Sequence, residues 1–124
     1  MKEAHAVNAF AALSQETRLR IIRLLVVAGA SGLPAGEIGA SLGGVSSSRL
    51  SFHLSQLEHA GLVNKRRKGR LIIYSAIFPA LSDLVAFLMH DCCQGHCAYC
   101  DKAIELFAKC EGRPTSTDIS NLET

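Results

Sequence analysis

The most informative stretch of this chain is residues 46–76, SSSRLSFHLSQLEHAGLVNKRRKGRLIIYSA. It opens with polar residues, and apolar side chains then recur at spacings of three and four until Gly61. That spacing predicts an amphipathic helix with one buried face and an opposite face of short polar groups. The predicted buried face comprises Leu50, His53, Leu54 and Leu57.

After Gly61 the pattern changes from helical to extended. Leu62 and Val63 begin an extended segment, a basic turn covers Arg66–Arg70, and Leu71–Tyr74 is a run of β-forming residues. Two such segments around a turn that contains glycine are typical of a β-hairpin.

Further helices are predicted before residue 46. The first covers Ala6–Leu13, and the hydroxyl of Ser14 is expected to cap a second that begins at Gln15. A third contains Ile38, with Pro34 in its first turn. The second helix is expected to bury Leu19, Ile22, Leu25 and Val26.

The third helix, the fourth helix and the basic hairpin follow one another in the order of a winged helix-turn-helix. The predicted fold is therefore mainly α with a small β-hairpin. A fifth apolar helix is predicted from Pro79 towards a group of cysteines, and a last one over Asp101–Cys110. Residues 1–110 are expected to form one domain, followed by a polar, mobile tail over 111–124.

Composition limits the class of protein. A chain of 124 residues suits one compact domain. Its longest apolar runs fall far short of the roughly 20 residues that cross a bilayer, and Glu3 interrupts any apolar segment at the N-terminus. We therefore expect a cytoplasmic protein that is not inserted in a membrane. The net charge is only +2, but five of the 13 basic residues lie between Lys65 and Arg70.

The stretch 46–76 resembles the helix-turn-helix and wing of the ArsR/SmtB family of metal-responsive bacterial repressors. The segment ALSQETRLRIIRLL, residues 12–25, is similar to the second helix of that family. The resemblance covers roughly residues 6–95 and implies a homodimeric winged-helix repressor that leaves its operator DNA when an inducer binds.

The resemblance places the fourth helix in the major groove, where polar side chains near the helix N-terminus contact base edges. The basic hairpin would contact phosphates or the minor groove. Capping of the helix by the serines and packing of His53 in the core remain alternatives. The expected DNA-contacting residues are Ser46, Ser47, Ser48, Arg49, Ser51, His53, Gln56, Arg66, Arg67, Lys68 and Arg70.

The inducer site is expected among the cysteines. Zinc and cobalt sensors of the family carry an acid-x-His pair on the last long helix, whereas Asp83 and His90 here lack that spacing. One arsenic-sensing branch has cysteines on its DNA-binding helices, but this chain has none before Cys92. Adjacent cysteines after the last long helix resemble another arsenic-responsive branch.

The segment HDCCQGHCAYC, residues 90–100, supplies enough sulfur for such a site. Trivalent arsenic takes three sulfur ligands, whereas structural zinc takes four ligands. Cys92 and Cys93 are the preferred ligands, with Cys97 or Cys100 completing the set. Cys110 is expected to be a small buried side chain.

The predicted function is transcriptional repression relieved by As(III), or by Sb(III), at these thiolates. A response to another soft metal such as Zn, Cd or Pb, or to thiol oxidation, is the alternative. An enzyme is not expected, because the chain has neither a phosphate-binding loop nor a cofactor fingerprint.

Overall fold

A computed structural model describes the backbone of residues 1–93 and the side chains of residues 1–89. The chain divides into two units, Met1–Val85 and Ala86–Thr124. The described elements are α1 (Glu3–Leu13), α2 (Glu16–Ala28), a 3₁₀ turn (Gly29–Ser31), β1 (Leu33–Pro34), α3 (Ala35–Ser41), α4 (Ser47–His59), β2 (Val63–Lys68), β3 (Leu71–Ala76) and α5 (Phe78–Cys93).

The three strands form one antiparallel sheet in the order β1-β3-β2. β2 and β3 pair from Val63 opposite Ala76 to Lys68 opposite Leu71, so the connecting loop has only two residues, Gly69 and Arg70. Gly69 has a φ of 62°, and a two-residue hairpin loop needs this left-handed conformation. The predicted hairpin is confirmed, although its strands run further towards the loop than we expected.

One cluster of buried side chains joins the helices to the hairpin within Met1–Val85. It takes the inward faces of α1, α2 and α4, together with Ile38 of α3, Leu62 and Val63 at the start of β2, Ala76 of β3 and Leu84 of α5. Such close-packed burial contributes about 1.5–3 kcal/mol for each large aliphatic side chain. The largest fully buried members are Ile21, Leu25, Ile38, Leu54, Leu57, Leu62 and Val63.

The predicted buried face of α2 is partly wrong. Ile22 and Leu25 are buried as expected, but Leu19 and Val26 are about half exposed and Ile21 is fully buried. Apolar residues occupy most sides of α2, so helical spacing alone did not select the stripe that faces the core.

Two local predictions before α3 are also wrong. Ser14 does not cap α2; its hydroxyl donates to the carbonyl of Ala11 at the end of α1, and the side chain of Gln15 accepts from the backbone N–H of Arg18 instead. Pro34 lies in β1, immediately before α3, because its extended backbone pairs with Ile73 of β3.

The last long helix begins at Phe78 and its backbone continues to Cys93. The predicted roles of the cysteine side chains, the predicted helix over Asp101–Cys110 and the polar tail over 111–124 lie outside the described residues. None of the described helices is both long enough and apolar enough to span a membrane.

Candidate nucleic-acid interface

The helix α4 is fixed at both ends by its own sequence. Ser46 has an extended backbone, and its Oγ accepts from the backbone N–H of Arg49 at 3.4 Å, which makes it the N-cap. At the other end Gly61 has a φ of 77°, its N–H donates to the carbonyl of Glu58, and Leu62 N–H donates to that of Leu57. This pair of hydrogen bonds is a Schellman motif, which satisfies the last carbonyls of the helix.

The inward face of α4 is held by the core. Leu50, Leu54 and Leu57 are buried, as the sequence predicts. Gly39 of α3 allows the close approach of Leu50, since a Cβ at Gly39 would lie 3.3 Å from a Leu50 methyl. The orientation of α4 is therefore set by packing between α3 and the core.

The outward face of α4 is exposed and carries short polar groups near its N-terminus. A cleft of about 350 Å³ lies between α3 and the first turns of α4, and Ser47 and Ser51 line it. The predicted contact residues exposed on this helix or at its cap are Ser46, Ser47, Ser48, Arg49, Ser51 and Gln56.

His53 lies apart from this exposed set. It is half-buried, and its Nδ1 is 3.2 Å from Nη1 of Arg18 on α2. Burial lowers the pKa of His53, and the nearby positive charges of Arg18 and Arg49 lower it further. The neutral imidazole is thus favoured at this position.

The cations of the wing differ in how they are held. Arg66 donates to the carbonyl of Ser31 at 2.9 Å, and Nε of Arg67 donates to the carbonyl of Gly69 at 3.2 Å. By contrast, the side chains of Lys68 and Arg70 form no hydrogen bond or ion pair with any of the residues that the structure describes. These two charges at the hairpin tip are accessible to an anionic partner.

A further ion pair links the wing to α4. Nζ of Lys65 on β2 is 3.6 Å from Oε1 of Glu58 on α4, with both side chains partly exposed. This pair occupies the only acidic side chain of α4, so the exposed face of that helix carries no unpaired carboxylate. Positive charge therefore dominates this side of the helix and the wing.

Sequence reasoning missed two features of this surface. Phe52 is 57% exposed on α4, and Arg18 holds His53 from α2. The exposure of Phe52 was detectable, because helical spacing places it opposite Leu50, Leu54 and Leu57. The contact with Arg18 joins residues 35 positions apart and left no local signal.

Among the described residues, no group of three or more His, Cys, Asp or Glu side chains is placed to hold a metal ion. The predicted ligands Cys92, Cys93, Cys97 and Cys100 all lie in the part of the chain whose side chains are not described. The predicted inducer site thus remains a prediction.

Comparison with known proteins supports this organisation. Residues 13–66 match the family model of a helix-turn-helix domain. The transcriptional regulator Rv0081 of Mycobacterium tuberculosis is 40% identical over 77 residues, which are 62% of this chain and 65% of that protein. Its crystal structure aligns with a TM-score of 0.56 and 32% identity over 76% of this chain and 93% of that one.

Two other proteins are similar. An ArsR-like transcriptional regulator from Rhodococcus sp. RHA1 aligns with a TM-score of 0.62 and 29% identity over 87% of this chain and 93% of the other. The second is a Halobacterium salinarum protein that carries the name arsenical resistance operon repressor ArsR. It is 41% identical over 80 residues, which are 64% of this chain and 60% of that protein.

These similarities confirm the predicted winged helix-turn-helix and the expectation that the chain is not an enzyme, since the similar proteins are transcriptional regulators. The chain belongs to the ArsR/SmtB family of winged-helix transcriptional regulators.

Proposed function

We propose that this protein is a homodimeric, cytoplasmic repressor that binds double-stranded operator DNA and is released when trivalent arsenic binds its C-terminal thiolates. The observation that carries the DNA-binding part is the exposed N-terminal half of α4, which presents Ser47, Ser48 and Ser51 on a helix anchored in the core. A helix of this kind fits the major groove, where hydroxyl groups hydrogen-bond to base edges.

The wing supplies the electrostatic part of binding. Lys68 and Arg70 are free to contact phosphates, while Arg66 is held by the carbonyl of Ser31 in the 3₁₀ turn and Arg67 by that of Gly69 at the hairpin tip. Each phosphate contact releases condensed counterions, so affinity falls as the salt concentration rises. In this proposal the wing positions the protein, and α4 reads the sequence.

His53 has a restricted part in this scheme. Arginine has only donors, so Nδ1 of His53 must accept from Arg18, and the neutral ring carries its proton on Nε2. Only Nε2–H is then left for a DNA contact, and the main role of His53 is to hold α4 against α2.

The inducer part rests on the chemistry of the thiols and on one relative. Cys92 and Cys93 end the described backbone of α5, and Cys97 and Cys100 follow. Three thiolates from this set suit As(III) or Sb(III), which prefer sulfur ligands, and a cytosolic setting keeps the thiols reduced. The similar H. salinarum protein carries the name of an arsenical resistance repressor.

Coupling between the two sites follows from linkage. We propose that α5 pairs two subunits, so that a two-fold dimer binds half-sites about one helical turn apart. Formation of As–S bonds at the end of α5 would then favour a dimer geometry that binds DNA weakly. The inducer must bind that geometry more tightly by the same factor, typically about 5–150-fold.

The test is a fluorescence-anisotropy titration with labelled DNA from upstream of the gene for this protein. The wild-type complex is expected to dissociate on addition of arsenite or antimonite and to survive zinc, cadmium, lead and peroxide. Cys92→Ser and Cys93→Ser should abolish release, and one of Cys97→Ser and Cys100→Ser should do the same. Cys110→Ser is the matched control and should respond like the wild type.

Two results would count against the proposal. Failure of the wild type to bind this DNA at low salt would contradict the repressor function. Release by zinc, cadmium, lead or peroxide, but not by arsenite or antimonite, would replace the arsenic assignment with one of the two alternative inducers.

A further inference from the structure

The aromatic ring of Phe52 projects from the outward face of α4. Phe52 is 57% exposed, whereas Leu50, Leu54 and Leu57 on the same helix are at most 5% exposed. At 3.6 residues per turn, Phe52 lies about 200° around the helix from Leu50. The ring therefore does not pack in the core and lies on the solvent-facing side of α4.

Its neighbours leave the ring prominent and hold it in place. Ser48 and Ser51 are exposed and much shorter than phenylalanine, so the ring extends beyond them. The ring also contacts the imidazole of His53 edge to face, with centroids 5.6 Å apart and planes at 61°. Since His53 is hydrogen-bonded to Arg18 of α2, the orientation of the Phe52 ring is supported from the neighbouring helix.

The charges around Phe52 indicate an anionic partner. Arg49 lies three residues before it and Gln56 four residues after it, which places both beside it on the same face. The single carboxylate of α4, that of Glu58, is paired with Lys65. An apolar ring within a cationic and polar face suits a surface that is mostly charged but carries isolated apolar groups.

The major groove of DNA is such a surface, because the C5-methyl group of thymine is an apolar group among the hydrogen-bonding base edges. We propose that Phe52 contacts thymine methyl groups and makes this protein select operators with thymine at the facing position of each half-site. This inference rests on the proposed DNA-binding function. It adds a specificity determinant that does not depend on hydrogen bonding.

The same geometry suggests what lies beside that thymine. Gln56 can hydrogen-bond to adenine N6 and N7, and Arg49 to guanine O6 and N7. An A·T pair could therefore present its adenine to Gln56 and a thymine methyl to Phe52. Each half-site is expected to contain a thymine whose paired adenine is read by Gln56 or whose neighbouring guanine is read by Arg49.

The test replaces each thymine of the bound DNA in turn by deoxyuridine, which lacks the methyl group and keeps every hydrogen-bonding group. Wild-type affinity is expected to fall about fourfold at one or two positions per half-site, the loss expected for one buried methyl-sized group. Phe52→Ala should bind the thymine-containing DNA more weakly and should not distinguish thymine from uracil at those positions.

Controls separate this effect from folding. Phe52→Ala alters an exposed position, so its melting temperature should match that of the wild type. Val27→Ala, which shortens an 88% exposed apolar side chain on α2, should keep the full sensitivity to uracil.

Two outcomes would overturn the inference while leaving the DNA-binding function intact. Equal wild-type affinity at every uracil substitution would show that no methyl group is read. A Phe52→Ala variant that keeps the wild-type pattern would assign the reading to another side chain. Absence of any DNA binding by the wild type is a different result, since it overturns the proposed function itself.

Discussion

Nη1 of Arg18 on α2 lies 3.2 Å from Nδ1 of His53 on α4, and Nε of the same guanidinium donates to the carbonyl of Ala12 at the end of α1 at 2.7 Å. One side chain therefore joins three helices. Because arginine cannot accept a hydrogen bond, this arrangement requires an unprotonated Nδ1 on His53.

Stability should depend on pH through His53. Its folded-state pKa is lowered by burial and by Arg18 and Arg49, so the unfolded chain binds this proton more readily. The contribution of His53 to the free energy of unfolding is complete above its unfolded-state pKa of about 6.5. It is lost as the pH falls from that pKa towards the lower folded-state pKa. Urea unfolding of the wild type should give a smaller free energy at about pH 5 than at about pH 7.5.

The matched variant for this prediction is His53→Gln. Its amide oxygen can accept from Arg18 but does not titrate, so the stability lost on acidification should be smaller than in the wild type. The other four histidines, His5, His59, His90 and His96, are present in both proteins and cancel in the comparison. An equal loss of stability in the two proteins would contradict the role of His53.

Gly32 should tolerate no side chain. It has a φ of 69°, and a Cβ there would overlap the carbonyl oxygen of Tyr74 on β3. We expect Gly32→Ala to lower the free energy of unfolding by at least about 2 kcal/mol, since both backbone strain and a steric clash oppose it. Chemical denaturation measures this loss.

Gly36 provides the control. It lies in α3, and a Cβ there would meet no atom within 4 Å. Gly36→Ala should be neutral or should stabilise the fold by up to about 1 kcal/mol, because alanine has the higher helix propensity. If Gly32→Ala and Gly36→Ala lower the free energy of unfolding equally, the close approach of Gly32 to β3 does not explain why Gly32 is sensitive to substitution.

The serines that open α4 should differ in role. Ser46→Ala removes the cap of Arg49 N–H and should cost about 0.5–1 kcal/mol of stability. Ser48 is exposed in the first turn of α4 and its side chain makes no cap, so Ser48→Ala should leave stability within about 0.5 kcal/mol and weaken DNA binding. Thermal unfolding and anisotropy titrations of both variants distinguish capping from DNA contact. A loss of stability in Ser48→Ala equal to that in Ser46→Ala would contradict this assignment.

The tip of the wing should control the salt dependence of binding. Lys68→Ala and Arg70→Ala each remove one cation, so each should reduce the slope of log K against log salt by about 0.9 if it contacts one phosphate. Arg20→Ala removes a cation of α2 that is paired with Glu16 and should leave the slope unchanged. If the slope of log K against log salt is unchanged in both wing variants, the hairpin tip does not contact the phosphates.

Part of the candidate site was predictable because it depends on neighbours in sequence. The spacing of Leu50, Leu54 and Leu57 fixes which side of α4 faces the core, and the exposed serines and Arg49 follow from it. The same spacing would have revealed Phe52. The contacts of Arg18 with His53 and of Arg66 with Ser31 each span 35 residues, and no local pattern encodes them.

The sequence by itself determined the elements whose signals are local: the apolar stripe of α4, the glycine that ends it, and the presence of a hairpin with a glycine in its turn, whereas the pairing of β2 with β3 showed that the turn has only two residues. Tertiary structure alone decided which side of α2 faces inward and that Leu33–Pro34 is a strand. A two-residue strand has no periodicity, and it exists only because β3 offers the hydrogen-bonding groups of a free edge. The helix α2 is apolar on several sides, and the other helices cover only one of them. Ile21 lies on the covered side and is buried, whereas Leu19 is exposed.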